Sequence, residues 1–289
     1  MSVAKVPDIL LLGEGYFHFQ LLTFNFISMA INYKIDHDII GDIESAEAIF
    51  VWGHGWGFNK KIFVPFVQAM RAKGASIIVN FPGWGGTPEP PENWTTVEYA
   101  ELTARLIERY KKDANGKDRK IFYIGHSFGG RIGLQLGGHY GHLIDAMVLL
   151  AAAGIPERRP LLVKWFMKAK VRLFKLLKPL PVMLGMDIDK LKNRFGSADY
   201  RISSPTMRKI LNNVVGENLS KEAANTSCPV LIIYGDKDSE TPVEIGKILN
   251  KLIKNSQLVI LRGQDHHSIL TNYKHPVIRK ISDFIDNVS

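Results

Sequence analysis

The chain has 289 residues, of which 46% are hydrophobic and 22% are charged, and this globular composition excludes a disordered or collagen-like protein. Its single cysteine, Cys228, excludes an internal disulfide framework and a cysteine-rich zinc site. The formal net charge is +9, and residues 157–178 carry +7 of it, with eight basic residues and one acidic residue. Because this basic excess is concentrated in one segment and no recognised motif accompanies it, we expect no nucleic-acid partner.

The predicted elements alternate between strands and helices. In chain order they are strands at 19–27, 29–35 and 46–52, a helix at 63–73, a strand at 76–80, a helix at 96–111 capped by Thr95 or Thr96, a strand at 120–124, a glycine-rich helix, strands at 146–150, 230–234 and 257–261, and a helix at 278–288. Such alternation predicts an α/β fold with a mainly parallel sheet and helices on both faces.

Three segments define the predicted domain organisation. Residues 1–18 form an N-terminal extension to which no element is assigned, and residues 19–155 and 216–289 form the α/β core. Residues 156–215 interrupt the alternation, because they are helical, basic and rich in Leu and Phe, and we interpret them as an inserted helical cap. No transmembrane span or export signal is evident, so we expect a cytoplasmic location.

A G-x-S-x-G sequence, Gly125-His126-Ser127-Phe128-Gly129, follows the predicted strand at 120–124 and begins a helix. This strand–turn–helix setting is that of a nucleophile elbow, where glycines are needed because side chains would collide with neighbouring backbone. A serine nucleophile needs a base and an orienting acid. Candidate acids, Asp236 and Asp238, and candidate bases, His266 and His267, follow later strands in the order Ser, Asp, His.

These motifs resemble the α/β-hydrolase-fold serine esterases and lipases that carry a helical cap. The resemblance extends from about residue 19 onward and includes the segments 53–57 and 82–87 as well as the elbow and the acid and base loops. It implies Ser127 as nucleophile and, from the Gly-x-x-Asp and Gly-x-x-His spacings, Asp238 as acid and His266 as base. It also implies an oxyanion hole formed by the backbone N–H groups of Trp56 and Phe128.

Two other histidines near these motifs are predicted to have structural roles. His54 is expected to brace the oxyanion loop by hydrogen bonding, and His126 to pack beneath the elbow. Many of the similar proteins have an acidic residue before the Pro-Gly turn, where this chain has Asn80. Cys228 is interpreted as a small buried residue.

A serine at the elbow favours acyl chemistry, and we expect hydrolysis of a small or lipid-like carboxylic ester without metal or organic cofactor. Amide, thioester or C–C bond hydrolysis, and non-catalytic ligand binding, remain alternatives. On a helical projection from residue 161, Lys164, Lys168, Arg172 and Lys175 form a narrow cationic stripe opposite an apolar face. The cap is therefore expected to be a lid, and peripheral contact with an anionic membrane is a further hypothesis. The oligomeric state is left open.

Overall fold

The sheet is assembled from short apolar strands. The computed structural model describes residues 33–156, Arg172 and residues 198–288, and the elements below lie in the compact unit Ile35–Ser289. The strands of this described part are β1 (Asp36–Ile40), β2 (Ala48–Gly53), β3 (Ala75–Asn80), β4 (Lys120–His126), β5 (Ala146–Leu150), β6 (Val230–Gly235) and β7 (Ser256–Leu261). Their spatial order is β1-β3-β2-β4-β5-β6-β7, in which β1 is antiparallel to β3 and all other neighbours are parallel.

Helices connect these strands, and those at Ser220–Asn225 and Val243–Leu252 were not among the predicted elements. In the described residues they are α1 (Val64–Met70), α2 (Thr96–Lys111), α3 (Phe128–His139), α4 (Ala198–Ile202), α5 (Pro205–Gly216), α6 (Ser220–Asn225), α7 (Val243–Leu252) and α8 (Lys274–Val288). Short 3₁₀ turns, Lys60–Phe63 and Arg71–Lys73, flank α1. Thr95 is the N-cap of α2, and its side chain forms a capping box with Glu98.

Alternate strand residues face two helical layers. Phe122 and Val148 lie in one apolar cluster with Phe66 of α1 and Phe284 of α8. The intervening residues point to the other face, where Tyr123 contacts Gly133 of α3. Because both faces are covered, the central strands are buried along their whole length. The predicted mainly parallel sheet with helices on both faces is confirmed.

The first strand differs from the prediction. Residues 33–35, the described end of the strand predicted at 29–35, are not in a strand, and β1 begins at Asp36. The strand predicted at 19–27 lies outside the described residues. β1 was missed because it is a polar edge strand, in which Asp36 and Asp38 accept hydrogen bonds from Lys60 Nζ at 3.0 and 2.7 Å. Because its first three residues are polar, this strand lacks the alternation of apolar and polar side chains by which a strand is recognised in a sequence.

Helix α4 lies within the predicted cap, and α5 ends one residue beyond its predicted boundary at 215. Asn213 of α5 donates to the backbone carbonyls of Glu92 and Trp94, and Glu217, which follows α5, accepts hydrogen bonds from the Thr96 N–H and hydroxyl at 2.9 and 2.6 Å. These bonds attach α5 to the N-terminus of α2. The predicted cap boundaries at 156 and 215 stay predictions. The basic stripe falls outside the described residues except for Arg172.

Candidate active site

Ser127 occupies a strained turn between β4 and α3. Its φ is +50° and its ψ is −106°, and a positive φ is costly for a residue with a side chain. The flanking glycines are required by sterics, since a Cβ at Gly125 would lie 2.4 Å from the Gly129 carbonyl oxygen and one at Gly129 would lie 2.1 Å from the Gly53 oxygen. The structure thus contains the tight turn that the G-x-S-x-G spacing predicts, with Ser127 at its apex.

His54 connects the loop after β2 to the loop after β3. Its Nε2 accepts the Phe81 N–H at 3.1 Å, so Nδ1 carries the proton and donates to the Gly55 carbonyl at 2.7 Å. The ring is fully buried, and burial lowers the pKa of His54 to about 4 although the Gly55 hydrogen bond opposes the shift. His54 is therefore a neutral brace for the loop, as expected from the sequence.

Two backbone donors are available beside the elbow. The N–H groups of Trp56 and Phe128 donate no hydrogen bond to any other residue that the structure describes. The two side chains pack edge to face with their ring centroids 5.2 Å apart, and the Gly129 N–H donates to the His54 carbonyl at 3.0 Å. The loop and the start of α3 are thus held together. The role of these donors as an oxyanion hole stays a prediction.

Asp238 and His266 form a buried pair. His266 Nδ1 lies 2.7 Å from Asp238 Oδ2, and neither side chain is more than 5% exposed. The other Asp238 oxygen, Oδ1, accepts the N–H groups of Glu240 and Thr241 at 2.9 and 2.8 Å. Asp236, the alternative acid, instead accepts the Gly263 N–H at 2.7 Å. The acid and base that the resemblance implies are therefore in contact.

His267, the alternative base, makes its ion-pair contact with Glu240 and not with Asp238. Its half-exposed side chain places Nε2 3.0 Å from Glu240 Oε1. His126 lies between the elbow and the base loop, with Nε2 3.1 Å from the His266 carbonyl oxygen and the two rings 4.7 Å apart. Burial, reinforced by the neighbouring His266, lowers the pKa of His126 well below its ordinary value. His126 thus packs beneath the elbow, as expected, and also supports the backbone of the base loop.

Sequence reasoning missed Thr241 as part of this arrangement. Its Oγ1 lies 2.9 Å from Asp238 Oδ2, 3.0 Å from the Ala151 carbonyl and 3.1 Å from His266 Nδ1. The Thr241 hydroxyl therefore contacts both members of the Asp238–His266 pair. Its position three residues after Asp238 is typical of a turn in which an Asp side chain accepts local N–H groups, and this spacing could have identified it.

A cavity of about 660 Å³ lies at the carboxyl ends of the strands. Its lining comprises Gly55, Trp56, Gly57, Phe58, His126, Ser127, Asp199, Ile202, Leu211, Val215, Glu240, His266 and His267. The nucleophile and base candidates therefore open into the same space, where open α/β sheets bind ligands. A groove of about 770 Å³, lined by Gly41, Ala48 and Lys120 among others, contains none of the candidate catalytic residues.

The described residues contain no group of three His, Cys, Asp or Glu side chains able to hold a metal ion. No helix among them has the length and apolar character needed to cross a membrane. Cys228 is buried, and burial raises the pKa of its thiol to about 11.

Most of this chain aligns with known proteins of the same fold. The family model described as "Alpha/beta hydrolase family" matches residues 48–279. Pimeloyl-[acyl-carrier protein] methyl ester esterase of Neisseria meningitidis serogroup C is 23% identical over 248 residues, which are 81% of this chain and 92% of that protein. Lipase 1 of Psychrobacter immobilis is 25% identical over 251 residues, which are 81% of this chain and 73% of the lipase. The solved esterase from Exiguobacterium antarcticum superposes with a TM-score of 0.65 at 19% identity, covering 88% of this chain and 96% of the esterase.

Proposed function

The chain belongs to the alpha/beta hydrolase family, and from this premise we propose that it hydrolyses carboxylic esters through Ser127, His266 and Asp238. Relatives named as an esterase and a lipase support a hydrolase of the esterase type. The observation that carries the proposal is the buried Asp238–His266 hydrogen bond of 2.7 Å beside the cavity that Ser127 and His266 line.

In the proposed reaction, Ser127 Oγ attacks the ester carbonyl carbon while its proton passes to His266 Nε2. Asp238 holds Nδ1–H of His266, so that the unprotonated Nε2 faces the serine, and it stabilises the imidazolium that forms. The developing oxyanion accepts hydrogen bonds from the N–H groups of Trp56 and Phe128. Donors that are already oriented in this way lower the barrier without reorganisation during the reaction.

His266 also transfers the protons in the remaining steps of the reaction. His266 gives its proton to the leaving alcohol, and the acyl group remains on Ser127. Water then transfers a proton to His266 as it attacks the acyl-enzyme, and His266 passes this proton to Ser127 Oγ as the acid is released. The strained turn at Ser127 and the glycines around it leave the hydroxyl accessible for both attacks.

The test is a hydrolysis screen with p-nitrophenyl esters of graded acyl length, with Ser127→Ala as the matched control. We expect turnover that the alanine variant loses. Labelling by a fluorophosphonate probe separates an enzyme from a non-catalytic binding protein, because only a serine activated by its base reacts. Hydrolysis that is unchanged in Ser127→Ala, or wild-type protein that neither labels nor hydrolyses any ester, would contradict the proposal.

The same nucleophile also serves thioesters, amides and activated C–C bonds. A p-nitroanilide and a thioester with the acyl chain that the ester screen prefers measure this choice directly. We expect kcat/KM to be highest for the oxygen ester. A higher value for the anilide or the thioester would leave the assignment of the triad unchanged, but it would identify an amide or a thioester as the preferred bond.

A further inference from the structure

The wall of the cavity carries two carboxylates, Asp199 from α4 and Glu240 from the loop after β6. No Lys or Arg belongs to that wall in the part of the chain that the structure describes. Among the described residues, the carboxylates on this wall therefore have no Lys or Arg beside them in the cavity lining.

Glu240 is held beside the candidate base. Its backbone N–H donates to Asp238 Oδ1 at 2.9 Å, and its Oε1 lies 3.0 Å from His267 Nε2. The second oxygen, Oε2, lies 3.7 Å from His266 Nε2, the atom that receives the serine proton in the proposed reaction. A negative charge is thus fixed next to the place where the ester is cleaved.

Asp199 is placed against the oxyanion loop by its own backbone. Trp56 Nε1 donates to Ser203 Oγ at 3.0 Å, and Ser203 Oγ donates to the Asp199 carbonyl at 2.6 Å. Burial raises the pKa of Asp199, the Glu240 carboxylate adds to the shift, and the neighbouring His266 and His267 oppose it. The two carboxylates consequently repel each other while facing the same pair of histidines.

The remaining lining combines aliphatic side chains with a buried histidine. Ile202 and Val215, 67% and 61% exposed, lie at the cavity with the buried Leu211. His126 also lines the cavity, and because its Nε2 donates to the His266 carbonyl, its Nδ1 is a buried acceptor without a donor among the described residues. Aliphatic side chains thus share this cavity with the two carboxylates.

We propose that this cavity selects its substrates by charge, favouring aliphatic esters that bear an ammonium group over matched esters that bear a carboxylate. The inference rests on the ester hydrolysis proposed above. An ammonium group near Asp199 and Glu240 relieves the repulsion between the two carboxylates, whereas a third carboxylate adds to it. Because these groups are partly buried, the interaction is screened less than it would be on an open surface.

The test compares three p-nitrophenyl esters of equal chain length, with a terminal methyl, ammonium or carboxylate group. We expect kcat/KM to rank ammonium, then methyl, then carboxylate, with the two charged esters differing on the order of 100-fold for two half-buried charges. Asp199→Asn and Glu240→Gln should each reduce that ratio about tenfold, and the double variant should bring it close to one. The ratio cancels any general loss of activity.

Glu47→Gln is the matched control, because it removes one carboxylate just before β2, at the end of that strand away from the oxyanion loop. It should leave the ratio unchanged. A ratio near one in the wild-type protein, or a ratio that persists in the double variant, would overturn the inference even if all three esters are hydrolysed.

Binding to Ser127→Ala separates this inference from the proposed function. Hexylamine should bind more tightly than hexanoate, and Asp199→Asn combined with Glu240→Gln should abolish the difference. If no ester is hydrolysed by the wild-type protein and hexylamine still binds more tightly, the ester hydrolysis fails and the charge selection stands. Equal binding of the two ligands would overturn the charge selection.

Discussion

Replacing Asp238 by Asn tests how the candidate base is oriented. Asp238 Oδ1 accepts the N–H groups of Glu240 and Thr241 at 2.9 and 2.8 Å, so the Asn carbonyl should take this position. The Asn NH₂ group then replaces Oδ2, which lies 2.7 Å from His266 Nδ1. Because an NH₂ group can only donate, His266 must accept at Nδ1 and carry its proton on Nε2. It then cannot take the Ser127 proton.

The expected loss in kcat is about ten-thousand-fold, or roughly 5 kcal/mol of transition-state stabilisation, as is typical when a triad histidine is held in the wrong tautomer. The fold should survive, because the substituted side chain has the same shape and its partners remain. The assay is kcat on the best p-nitrophenyl ester, with thermal unfolding recorded for the same preparations.

Asp236→Asn is the matched control for this experiment. Asp236 Oδ1 accepts the Gly263 N–H at 2.7 Å, and an Asn carbonyl can accept it equally well. We therefore expect a loss in kcat of less than about tenfold, since the substitution preserves a local hydrogen bond and leaves His266 untouched. If Asp236→Asn were the slower variant, the acid would be Asp236. A loss below tenfold in Asp238→Asn would refute the tautomer argument.

Two further predictions concern the histidines. Ser127→Ala and His266→Ala should each reduce ester hydrolysis to background, and the double variant should be no slower, because triad members act as a unit. His267→Ala should stay active. An inactive His267→Ala beside an active His266→Ala would reverse the base assignment. Because burial lowers the pKa of His54 from 6.5 to about 4, stability is fully present above pH 6.5 and falls as the pH drops toward 4, by roughly 1.4 kcal/mol per pH unit. Thermal unfolding across this range should show a shallower pH dependence for His54→Asn, and an equally steep one would exclude His54 as a source of acid sensitivity.

The elbow was predictable because its requirements are local. A turn that places Ser127 at positive φ between a buried strand and a helix needs glycines at fixed offsets, and Gly125 and Gly129 stand there. The central strands were predictable for a similar reason, since strands buried on both faces become continuous apolar runs. The polar strand β1 was missed because its stability depends on Lys60, a residue distant in sequence.

Contacts across the site could be predicted only in part. The Gly-x-x-Asp and Gly-x-x-His spacings of the family that the sequence resembles implied Asp238 and His266, and the structure brings these two together at 2.7 Å. Asp199 and Glu240 carry no signal of this kind, because their proximity to His266 arises from how α4 and the loop after β6 pack. Side chains that join through tertiary packing alone leave no pattern in a single sequence.

Asn80 stands where many of the proteins that the sequence resembles have an acidic residue before the Pro-Gly turn, and in the structure Asp36 of the neighbouring strand lies beside it. Asn80 Nδ2 donates to Asp36 Oδ2 at 2.6 Å, and Asn80 Oδ1 accepts the Lys60 N–H at 2.8 Å. The Gly86 N–H also donates to Asp36 Oδ2, at 3.2 Å. Although burial opposes it, hydrogen bonds from Lys60 and Asn80 lower the pKa of Asp36. The acidic group that supports the turn is thus supplied by β1.

This exchange leads to a reciprocal prediction for Asp36 and Asn80. Asn80→Asp alone should destabilise the protein by on the order of 2 kcal/mol, because it sets a second carboxylate against Asp36 in a partly buried site and removes the donor between them. Asp36→Asn combined with Asn80→Asp restores one donor and one carboxylate facing Lys60, so it should recover most of that loss. Thermal unfolding of the single and double variants measures this coupling. A double variant less stable than Asn80→Asp alone would show that the two positions do not exchange roles, and that β1 supports the turn through its backbone rather than through the Asp36 carboxylate.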